Sequence, residues 1–544
     1  MSRSDIAPLS ALADWEGGRP TNPPWCNGST TAFGAVRSRF ESWGRSHCYA
    51  TPSRLPHSQD TMHLNRGMSA PPMAVVILAA GQGTRMNSTV PKVLHPLAGI
   101  PLIGHVVATA EALDADSVSV VVRHAADDVA AAVSAQTDGV VIVHQDDVPG
   151  TGRAVEVALE GVDDSVADVV VLSADVPLLD SDTVRAMVGL HRDAGAAVTL
   201  LSAVVEDPTG YGRVVRRSDG SVERIVEEGD ASAEERELQE VNAGIYVFSH
   251  EVLRQHLPTL GQDNSQSEKY LTDVVSRVVV TDGLVHAVQV EDAWLVDGVN
   301  DRVQLSEVQR RLNRMIVRGW QRDGVSIPDP DSVWIDLSVT LSPDVTVLPG
   351  VQLEGQTHIG EGAVIGPDST LRDTEVGAGA KVERSVLHDA EIHADASVGP
   401  FAYLRPGAVV EDGGKVGTFV EVKNSRIGVG AKVPHLSYIG DADIGEGANI
   451  GAGTITANYD GVNKHRTVVG PHAKTGSDNV FVAPVEIGAG AYTAAGTTIR
   501  RNVPAGSLAV APASVRSIEG WVAKNRPDSD ADRASRPGSG SAKK

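Results

Sequence analysis

The apolar positions of this chain follow two different periods. Between residues 73 and 300, short apolar runs such as MAVVILAA, SVSVVV, GVVIVH and DVVVLSAD alternate with helix-length segments. Unbroken apolar runs are typical of parallel strands that are buried on both faces of a sheet. We therefore predict a doubly wound α/β domain over residues 73–300.

Beyond residue 331 the apolar period changes to six. The positions in step include Val339, Val345 and Val351, then Ile359, Ile365 and Leu371, and then Ile427, Val433 and Ile439. A hexapeptide period is the signature of a parallel β-helix, in which each short face buries one apolar side chain. We predict about ten coils of about 18 residues each over residues 331–508. Helices of this kind are left-handed, against the usual hand of parallel crossovers.

A helical stripe joins the two regions. Over residues 301–330 it consists of Leu305, Val308, Leu312, Met315 and Ile316, which predicts a linker helix. Residues 509–544 are predicted to form a tail that ends in a low-complexity, disordered segment.

The N-terminal stretch differs from the rest of the chain in its composition and periodicity. Residues 1–72 carry Pro, Gly, Ser and Arg without strand or helix periodicity, which indicates a disordered or non-native extension. The Phe-Glu-Ser of residues 40–42 can be back-translated into a string that resembles the T-arm of a transfer RNA gene. We therefore hypothesise that translation starts at Met68 or Met73; the alternative is a genuine disordered extension.

Length and charge narrow the class of protein. A chain of 544 residues is too long for one core, so two or three domains are expected. The formal net charge of −23 argues against a nucleic-acid-binding surface. We expect a cytoplasmic protein without membrane insertion, because the sequence has neither a long apolar run nor a secretion signal. Cys26 and Cys48 both lie in the N-terminal stretch, so cysteine chemistry cannot organise the main body.

A glycine loop follows the first apolar run. In LAAGQGTRM, residues 78–86, Gly81 and Gly83 let backbone N–H groups approach phosphates, and the nearby Arg85 and Lys92 supply positive charge. The spacing fits neither the P-loop nor the dinucleotide fingerprint. The loop therefore predicts a phosphate site of another type.

A carboxylate falls at the same edge of the predicted sheet. Asp175 comes just after the apolar run DVVVL, where a parallel strand would end. Magnesium prefers oxygen ligands and usually keeps phosphate and water in its shell. Asp175 is therefore our first candidate for a Mg²⁺ ligand.

The phrase G-x-G-T-R-M followed by P-K resembles the sugar nucleotidyltransferases. The order of the later segments GTG, GYGR, IVEE, VNAGIY and VDGVND extends the resemblance from about Met73 to about Trp521. Over that length the chain resembles the family of bifunctional N-acetylglucosamine-1-phosphate uridylyltransferases and glucosamine-1-phosphate N-acetyltransferases. The resemblance implies a Rossmann-like nucleotidyltransferase domain, a linker helix and a left-handed β-helix acetyltransferase domain.

The resemblance also implies roles for residues of the first domain. Arg85 and Lys92 would stabilise charge as a sugar phosphate attacks the α-phosphorus of UTP, and Asp175 and Asn300 would share Mg²⁺. The implied UTP and UDP-N-acetylglucosamine contacts are Leu78, Ala79, Ala80, Gly81, Gly83, Lys92, Gln145, Gly150, Thr151, Asp175, Gly212, Glu227, Asn242 and Asn300. Within this set, Gln145 and the GTG of residues 150–152 resemble a base-recognition segment, and Gly212, Glu227 and Asn242 are the expected sugar contacts.

Polar residues interrupt the hexapeptide pattern in the second half. Arg405 and Lys423 are cations suited to a sugar phosphate, and His435 is a candidate general base because its ordinary pKa lies near neutrality. The resemblance implies that His435 deprotonates the amine of glucosamine 1-phosphate for attack on acetyl-CoA. The implied acceptor-sugar contacts are Arg405, Lys423, Tyr438 and Asn449, and the implied acetyl-CoA contacts are Ala452, Asn458, Tyr459, Ser477, Ala495 and Arg516.

One position departs from the family pattern. Where an arginine often follows the last coil, this chain has Pro512, and its nearest arginine is Arg516. Either Arg516 reaches the coenzyme phosphates by another path or that contact is missing.

Three functions stay open on the sequence alone. The first, which we favour, is a two-site enzyme that supplies UDP-N-acetylglucosamine for the cell wall from UTP, acetyl-CoA and glucosamine 1-phosphate, as a homotrimer. The second is a single-function sugar-1-phosphate nucleotidyltransferase whose β-helix only assembles subunits. The third is a non-catalytic scaffold, against which the intact Arg85, Lys92, Asp175 and His435 speak.

Overall fold

The computed structural model describes residues 71–511 and 517–536. The hypothesis about the start at Met68 and the candidate Arg516 fall outside these residues. The chain divides into two compact units, one ending at Pro406 and the other beginning at Gly407. This division differs from the boundaries drawn from the sequence, which stay predictions.

The first unit begins with the α/β region. Its strands are β1 (Met73–Leu78), β2 (Pro96–Leu97), β3 (Ile100–Pro101), β4 (Ser117–Val122), β5 (Val140–His144), β6 (Asp168–Ser173), β7 (Val198–Val204), β8 (Arg213–Arg216), β9 (Val222–Val226), β10 (Glu240–Ser249) and β11 (Val285–Gln289). Its helices are α1 (Leu102–Glu111), α2 (Ala126–Ser134), α3 (Thr151–Leu159), α4 (Ser181–Ala194), α5 (Ala233–Arg236), α6 (His250–His256), α7 (Asp273–Val280) and α8 (Arg302–Arg322). Single 3₁₀ turns cover Thr84–Met86, Lys92–Leu94, Leu257–Thr259 and Ala293–Val296.

The main sheet has the strand order β11-β7-β10-β6-β1-β4-β5, with β8 and β9 attached beside β10. Strand β1 pairs in parallel with both β4 and β6, whereas β10 runs antiparallel to its neighbours β6 and β7. Val76 and Ile77 of β1 are fully buried, and an apolar cluster covers each face of the sheet. The predicted doubly wound sheet is confirmed. The loop after β1 lies at the switch point, where open α/β sheets bind ligands.

Helix α8 connects this sheet to the first coils. The carboxylate of Asp301 caps its N-terminus by accepting hydrogen bonds from the backbone N–H groups of Val303 and Gln304. The buried Asn313 then ties the helix to a coil, because its Nδ2 donates to the carbonyl of Val333 at 2.7 Å and its Oδ1 accepts from the N–H of Ile335 at 3.1 Å. The predicted stripe is partly buried as expected, through Val308, Leu312 and Ile316.

Stacked coils of a left-handed parallel β-helix fill the rest of the first unit. Their strands are β12 (Trp334–Ile335), β13 (Thr340–Leu341), β14 (Thr346–Val347), β15 (Gln352–Glu354), β16 (His358–Ile359), β17 (Val364–Ile365), β18 (Thr370–Arg372), β19 (Glu375–Val376), β20 (Lys381–Val382), β21 (Val386–His388), β22 (Ala390–Ile392), β23 (Ser397–Val398) and β24 (Tyr403–Leu404). One column of fully buried leucines, Leu353, Leu371, Leu387 and Leu404, stays in register through four coils. Along the chain, Val347, Leu353, Ile359, Ile365 and Leu371 are all fully buried, so the six-residue period is the spacing of inward-facing side chains.

The second unit repeats this arrangement. Its strands are β25 (Ala408–Val410), β26 (Lys415–Thr418), β27 (Glu421–Lys423), β28 (Arg426–Ile427), β29 (Lys432–His435), β30 (Tyr438–Gly440), β31 (Ala442–Ile444), β32 (Ile455–Ala457), β33 (Thr467–Val469), β34 (Val480–Val482), β35 (Val485–Ile487), β36 (Tyr492–Thr493), β37 (Thr498–Ile499) and β38 (Leu508–Ala509). Here Ile427, Ile444, Val469 and Ile487 form the buried column. Two short helices follow, α9 (Trp521–Asn525) and α10 (Asp530–Ser535).

A hairpin of the α/β region packs on the first coil. Strands β2 and β3 meet in the turn Ala98–Gly99, and the carbonyl of Ala98 accepts a hydrogen bond from the N–H of Leu337 at 3.0 Å. Gly99 has a φ of 88°, and a Cβ there would lie 2.8 Å from the carboxylate of Asp336. Only glycine lets this turn approach the carboxylate so closely.

This packing predicts a pH dependence of stability. Burial raises the pKa of Asp336 from 3.8 to about 6, although the N–H of Gly355 donates to its carboxylate. Because the folded-state pKa is the higher one, the stabilisation by this group is complete below about pH 4 and is lost as the pH rises through about 6. We expect Asp336→Asn to gain about 1 to 3 kcal/mol of unfolding free energy relative to the parent chain between pH 4 and pH 7.

Urea unfolding of both chains across this pH range measures the difference. Asp344→Asn, which changes an exposed aspartate of the same unit, is the matched control. A gap between Asp336→Asn and the parent chain that does not vary with pH would contradict the assignment.

Candidate active sites

A cleft of about 330 Å³ opens at the carboxyl ends of β1, β4, β5 and β6. The residues that line it are Leu78, Ala79, Ala80, Gly81, Gln82, Lys92, Val93, Arg123, His124, Gln145, Pro149, Gly150, Thr151, Ala154, Ser173, Asp175 and Glu268. Nine of the residues predicted for the nucleotide site are in this lining: Leu78, Ala79, Ala80, Gly81, Lys92, Gln145, Gly150, Thr151 and Asp175. The parallel sheet brings them to one edge, as expected from its topology.

Lys92 is held by two oxygen atoms in this cleft. Its Nζ lies 2.6 Å from Oδ2 of Asp175 and 3.2 Å from Oδ1 of Asn300. The N–H of Val299 donates to the carbonyl of Asp175 at 2.8 Å, which brings the VDGVND segment beside the end of β6. Two oxygen ligands from distant segments therefore converge on one cation.

The glycine loop packs against the same lysine. Gly83 has a φ of 64°, and a Cβ there would lie 2.5 Å from Cβ of Lys92. A Cβ on Gly81 would meet no atom within 4 Å, so the loop backbone faces open space. Arg85 is exposed and one of its guanidinium nitrogens lies 3.9 Å from the Cβ position of Gly210. The loop thus offers backbone N–H groups and two cations to a ligand.

Hydrogen bonds and close packing hold the segment that follows β5. Gln145 is buried, and its Nε2 donates to the carbonyls of Val148 at 2.8 Å and Gly150 at 3.2 Å. Gly150 has a φ of 118°, and a Cβ there would lie 2.3 Å from the carbonyl oxygen of Lys269. Thr151 Oγ1 accepts a hydrogen bond from the N–H of Leu271 at 3.0 Å. Residues 269–271 therefore hold the predicted base-recognition turn in place.

The three residues predicted to contact the sugar form one cluster. The N–H of Asn242 donates to the carbonyl of Gly212 at 2.8 Å, and a Cβ on Gly212 would lie 3.3 Å from Oε2 of Glu227. Thr272 donates to Oε1 of Glu227 at 3.1 Å, which links the cluster to the segment behind Gly150. Burial raises the pKa of Glu227, and the nearby acidic residues add to the effect.

Sequence reasoning missed several residues of this cleft. Arg123 and His124 line it directly after β4, and Glu268 lines it opposite. Outside that lining, the sequence analysis also passed over Tyr211, which is half-buried. Burial and the Asp297 and Asp175 carboxylates raise the pKa of its hydroxyl, while a hydrogen bond with the backbone of Gly298 opposes this effect. The sequence could have indicated Arg123 and His124 as site residues, because they are the first polar residues after the apolar run SVSVVV.

A second group of predicted residues lies in the second unit. Lys423 ends β27, and its Nζ lies 3.4 Å from Oδ2 of Asp441. Asn424 donates to Oδ1 of Asp441 at 2.6 Å, and Asn458 donates to Oδ2 of the same carboxylate. Lys423 and Asn458 were predicted for different substrates, yet they share one carboxylate that the sequence analysis did not select.

The candidate base lies in the same unit. His435 ends β29 with an exposed side chain, and Tyr438 begins β30, where its hydroxyl oxygen lies 2.4 Å from the Cβ position of Gly440. The Tyr438 hydroxyl therefore lies beside the residue that precedes Asp441. Asn449 is half-buried and forms backbone bridges in the neighbouring coil.

The residues predicted for acetyl-CoA fall on successive coils. The carbonyl of Ala452 accepts from the N–H of Asp478 at 2.7 Å, and the carbonyl of Ser477 accepts from the N–H of Gly496, next to Ala495, at 2.8 Å. Tyr459 is 60% exposed in the loop between β32 and β33. Arg405 is half-buried and follows β24 in the first unit.

Comparison with known proteins identifies the family. The model of the MobA-like NTP transferase domain matches residues 75–267. A protein from Clavibacter sepedonicus named "Bifunctional protein GlmU" is 55% identical over 466 residues, which are 86% of this chain and 94% of that protein. The chain belongs to the GlmU family.

Other relatives agree with this assignment to the GlmU family. Proteins of the same name from Kineococcus radiotolerans and Mycobacterium sp. (strain KMS) are 53% and 50% identical, each over 86% of this chain and 95% of its own length. A solved structure of a putative glucose-1-phosphate thymidylyltransferase from Bacillus anthracis is 22% identical over 44% of this chain and 94% of its own, with a TM-score of 0.35, too low to carry an argument. The family expected from the sequence is confirmed by the curated relatives.

Two further findings concern residues 71–511 and 517–536. No helix within these ranges is long and apolar enough to cross a membrane. The same ranges contain no group of three or more His, Cys, Asp or Glu side chains that could hold a metal ion.

The two glycines of the first cleft are expected to respond differently to substitution. Gly150→Ala places a Cβ against the Lys269 backbone at a positive φ, so we expect a loss of about 1 to 3 kcal/mol of stability. Gly81→Ala meets no atom and is expected to leave the unfolding midpoint unchanged while it weakens binding of UTP. Thermal unfolding and titration with UTP check both. Equal midpoints for the two variants would show that the turn is not held as described.

Proposed function

We propose that the cleft at the end of β1 binds UTP and N-acetylglucosamine 1-phosphate, and that the Lys423–Asp441 region belongs to the acetyl-transfer site. The chain is a bifunctional uridylyltransferase and acetyltransferase of the GlmU family, and the single-function alternative is not favoured. The observation that carries the residue assignment is the convergence of Lys92, Asp175 and Asn300 at the ligand edge of the sheet.

In the uridylyl transfer, which uses the product of the acetyl transfer, a phosphate oxygen of N-acetylglucosamine 1-phosphate attacks the α-phosphorus of UTP, and pyrophosphate leaves in line. Such a transfer needs positioning and charge stabilisation and no protein nucleophile. The N–H groups of the loop around Gly81 hold phosphate oxygens, and Arg85 and Lys92 stabilise the charge that grows on the leaving pyrophosphate. Gln145 and the Gly150–Thr151 turn hold the base, whereas Gly212, Glu227 and Asn242 hold the sugar.

Nucleotide transfer in this family generally requires a divalent metal, and we propose that it is Mg²⁺. The donor set fits, because Oδ2 of Asp175 and Oδ1 of Asn300 already converge on one cation, the ammonium of Lys92. Mg²⁺ prefers oxygen ligands and commonly uses one or two protein groups together with water and phosphate. When bound, Mg²⁺ would neutralise phosphate charge. Lys92 would then be free to pair with the phosphates.

In the acetyl transfer, which comes first, the amine nitrogen of glucosamine 1-phosphate attacks the thioester carbonyl of acetyl-CoA, and His435 takes the proton that this nitrogen loses. The C–N bond forms, the C–S bond breaks, and His435 returns a proton to the sulfur of coenzyme A. Lys423, Tyr438 and Asn449 bind the sugar phosphate, and the same role implied for Arg405 stays a prediction. The acetyl-CoA contacts are Ala452, Asn458, Tyr459, Ser477 and Ala495, with Arg516 as a further candidate.

The homotrimer implied by the family resemblance stays a prediction. Sedimentation equilibrium of the full chain measures the mass of the assembly. It bears on the function because neighbouring coils of separate subunits could share a coenzyme site.

Paired assays of Asp175→Ala and His435→Ala test the two-site proposal. We expect Asp175→Ala to lose pyrophosphate release from UTP by about 100-fold or more and to keep coenzyme A release. We expect His435→Ala to do the reverse, with a loss of about 100- to 10,000-fold in coenzyme A release. Each variant serves as the folding control for the other. If both activities fell together in a folded variant, the assignment of separate sites would be wrong.

A further inference from the structure

We propose that Asp441 is a positioning residue of the acetyl-transfer site, which holds the lysine of the sugar-phosphate end and the asparagine of the acetyl-CoA end on one carboxylate. This proposal rests on the proposed function of Lys423 and Asn458. It adds a residue whose role is to orient both, without contact to the reacting atoms.

The backbone fixes where this carboxylate lies. Asp441 occupies the corner between β30 and β31 with a φ of 49°, a conformation that Asp and Asn tolerate better than most residues. Its N–H donates to the carbonyl of Lys423 at 3.0 Å, so the corner is locked to the preceding coil. Its side chain is 9% exposed and therefore points into the protein.

Three side chains converge on the two oxygens. Asn424 donates to Oδ1 at 2.6 Å, while Asn458 and Lys423 share Oδ2, the lysine at 3.4 Å. Asn458 comes from the extended loop after β32, so the carboxylate ties this loop to the body of the coils. Burial alone would raise the pKa of Asp441, but the two amides and the lysine together hold it below its ordinary value.

The contacts determine what the neighbours present to a substrate. Because Asn458 uses its amide N–H on Asp441, its amide oxygen is oriented as an acceptor for an N–H or O–H of a substrate. The lysine contact is the longest of the three, so Lys423 can turn toward a phosphate while the amides stay in place. The Asp441 carboxylate thus orients Lys423 for glucosamine 1-phosphate and Asn458 for acetyl-CoA.

Asp441→Asn tests the proposal, with Asp443→Asn as the matched control. Asp443 lies two residues away on β31 and pairs instead with Arg426 at 3.3 Å and Arg466 at 2.7 Å. We expect Asp441→Asn to raise KM for both glucosamine 1-phosphate and acetyl-CoA by about 10- to 100-fold, with a smaller change in kcat, because charged hydrogen bonds of this kind are lost. Asp443→Asn is expected to change neither KM, and pyrophosphate release from UTP is expected to stay unchanged in both.

A double-mutant cycle separates positioning from a general structural role. If Asp441 acts through Lys423, the rise in KM for glucosamine 1-phosphate caused by Asp441→Asn is much smaller in a Lys423→Met background. Additive effects, unchanged KM values, or equal effects of the Asp441 and Asp443 variants would overturn the proposal. Asp441→Glu keeps the charge and is expected to recover part of the affinity, and it replaces the Asn variant if that protein does not fold. Absence of coenzyme A release by the parent chain would instead contradict the proposed function itself.

Discussion

The ligand edge of the α/β region depends on one ion pair, between Lys92 and Asp175 at 2.6 Å. It joins positions 83 residues apart, and the second contact of Lys92, with Asn300, spans 208 residues. The glycine loop, the end of β6 and the segment that leads into α8 are therefore held around a single ammonium group. Gly83 is required because a side chain there would occupy the space of that lysine.

The second unit also depends on a contact between a lysine and an acid, but here the carboxylate rather than the ammonium group is central. There a buried carboxylate, Asp441, is the centre, and it gathers Lys423 and two amides from neighbouring segments. Both sites present a lysine that is already held by an acid. A chain with a net charge of −23 can in this way offer local positive charge to anionic substrates without an extended basic surface.

The sequence predicted those features that follow from regular periods and strand ends. Apolar runs located the buried strands, the six-residue period located the inward-facing column of the coils, and Asp175 could be placed because a strand clearly ended before it. Asp441 could not be selected, because Asp441, the Lys423–Asn424 pair and Asn458 come from three successive coils and only stacking brings them together. Tyr211 was overlooked within GYGR since its burial depends on the VDGVND segment, far along the chain. Arg516 lies outside the described residues, so its proposed contact is still a prediction.

We propose that Lys92 and a divalent metal compete for Oδ2 of Asp175 and Oδ1 of Asn300, and binding of Mn²⁺ tests this most directly. Electron paramagnetic resonance of the full chain without nucleotide reports the affinity, with Lys92→Met as the variant. Lys269→Met, which removes a buried lysine paired with Glu156 at 2.8 Å, is the control. We expect Lys92→Met to bind Mn²⁺ about tenfold more tightly than the parent chain, because a competing positive charge is removed. Unchanged or weaker binding in Lys92→Met would contradict the shared site.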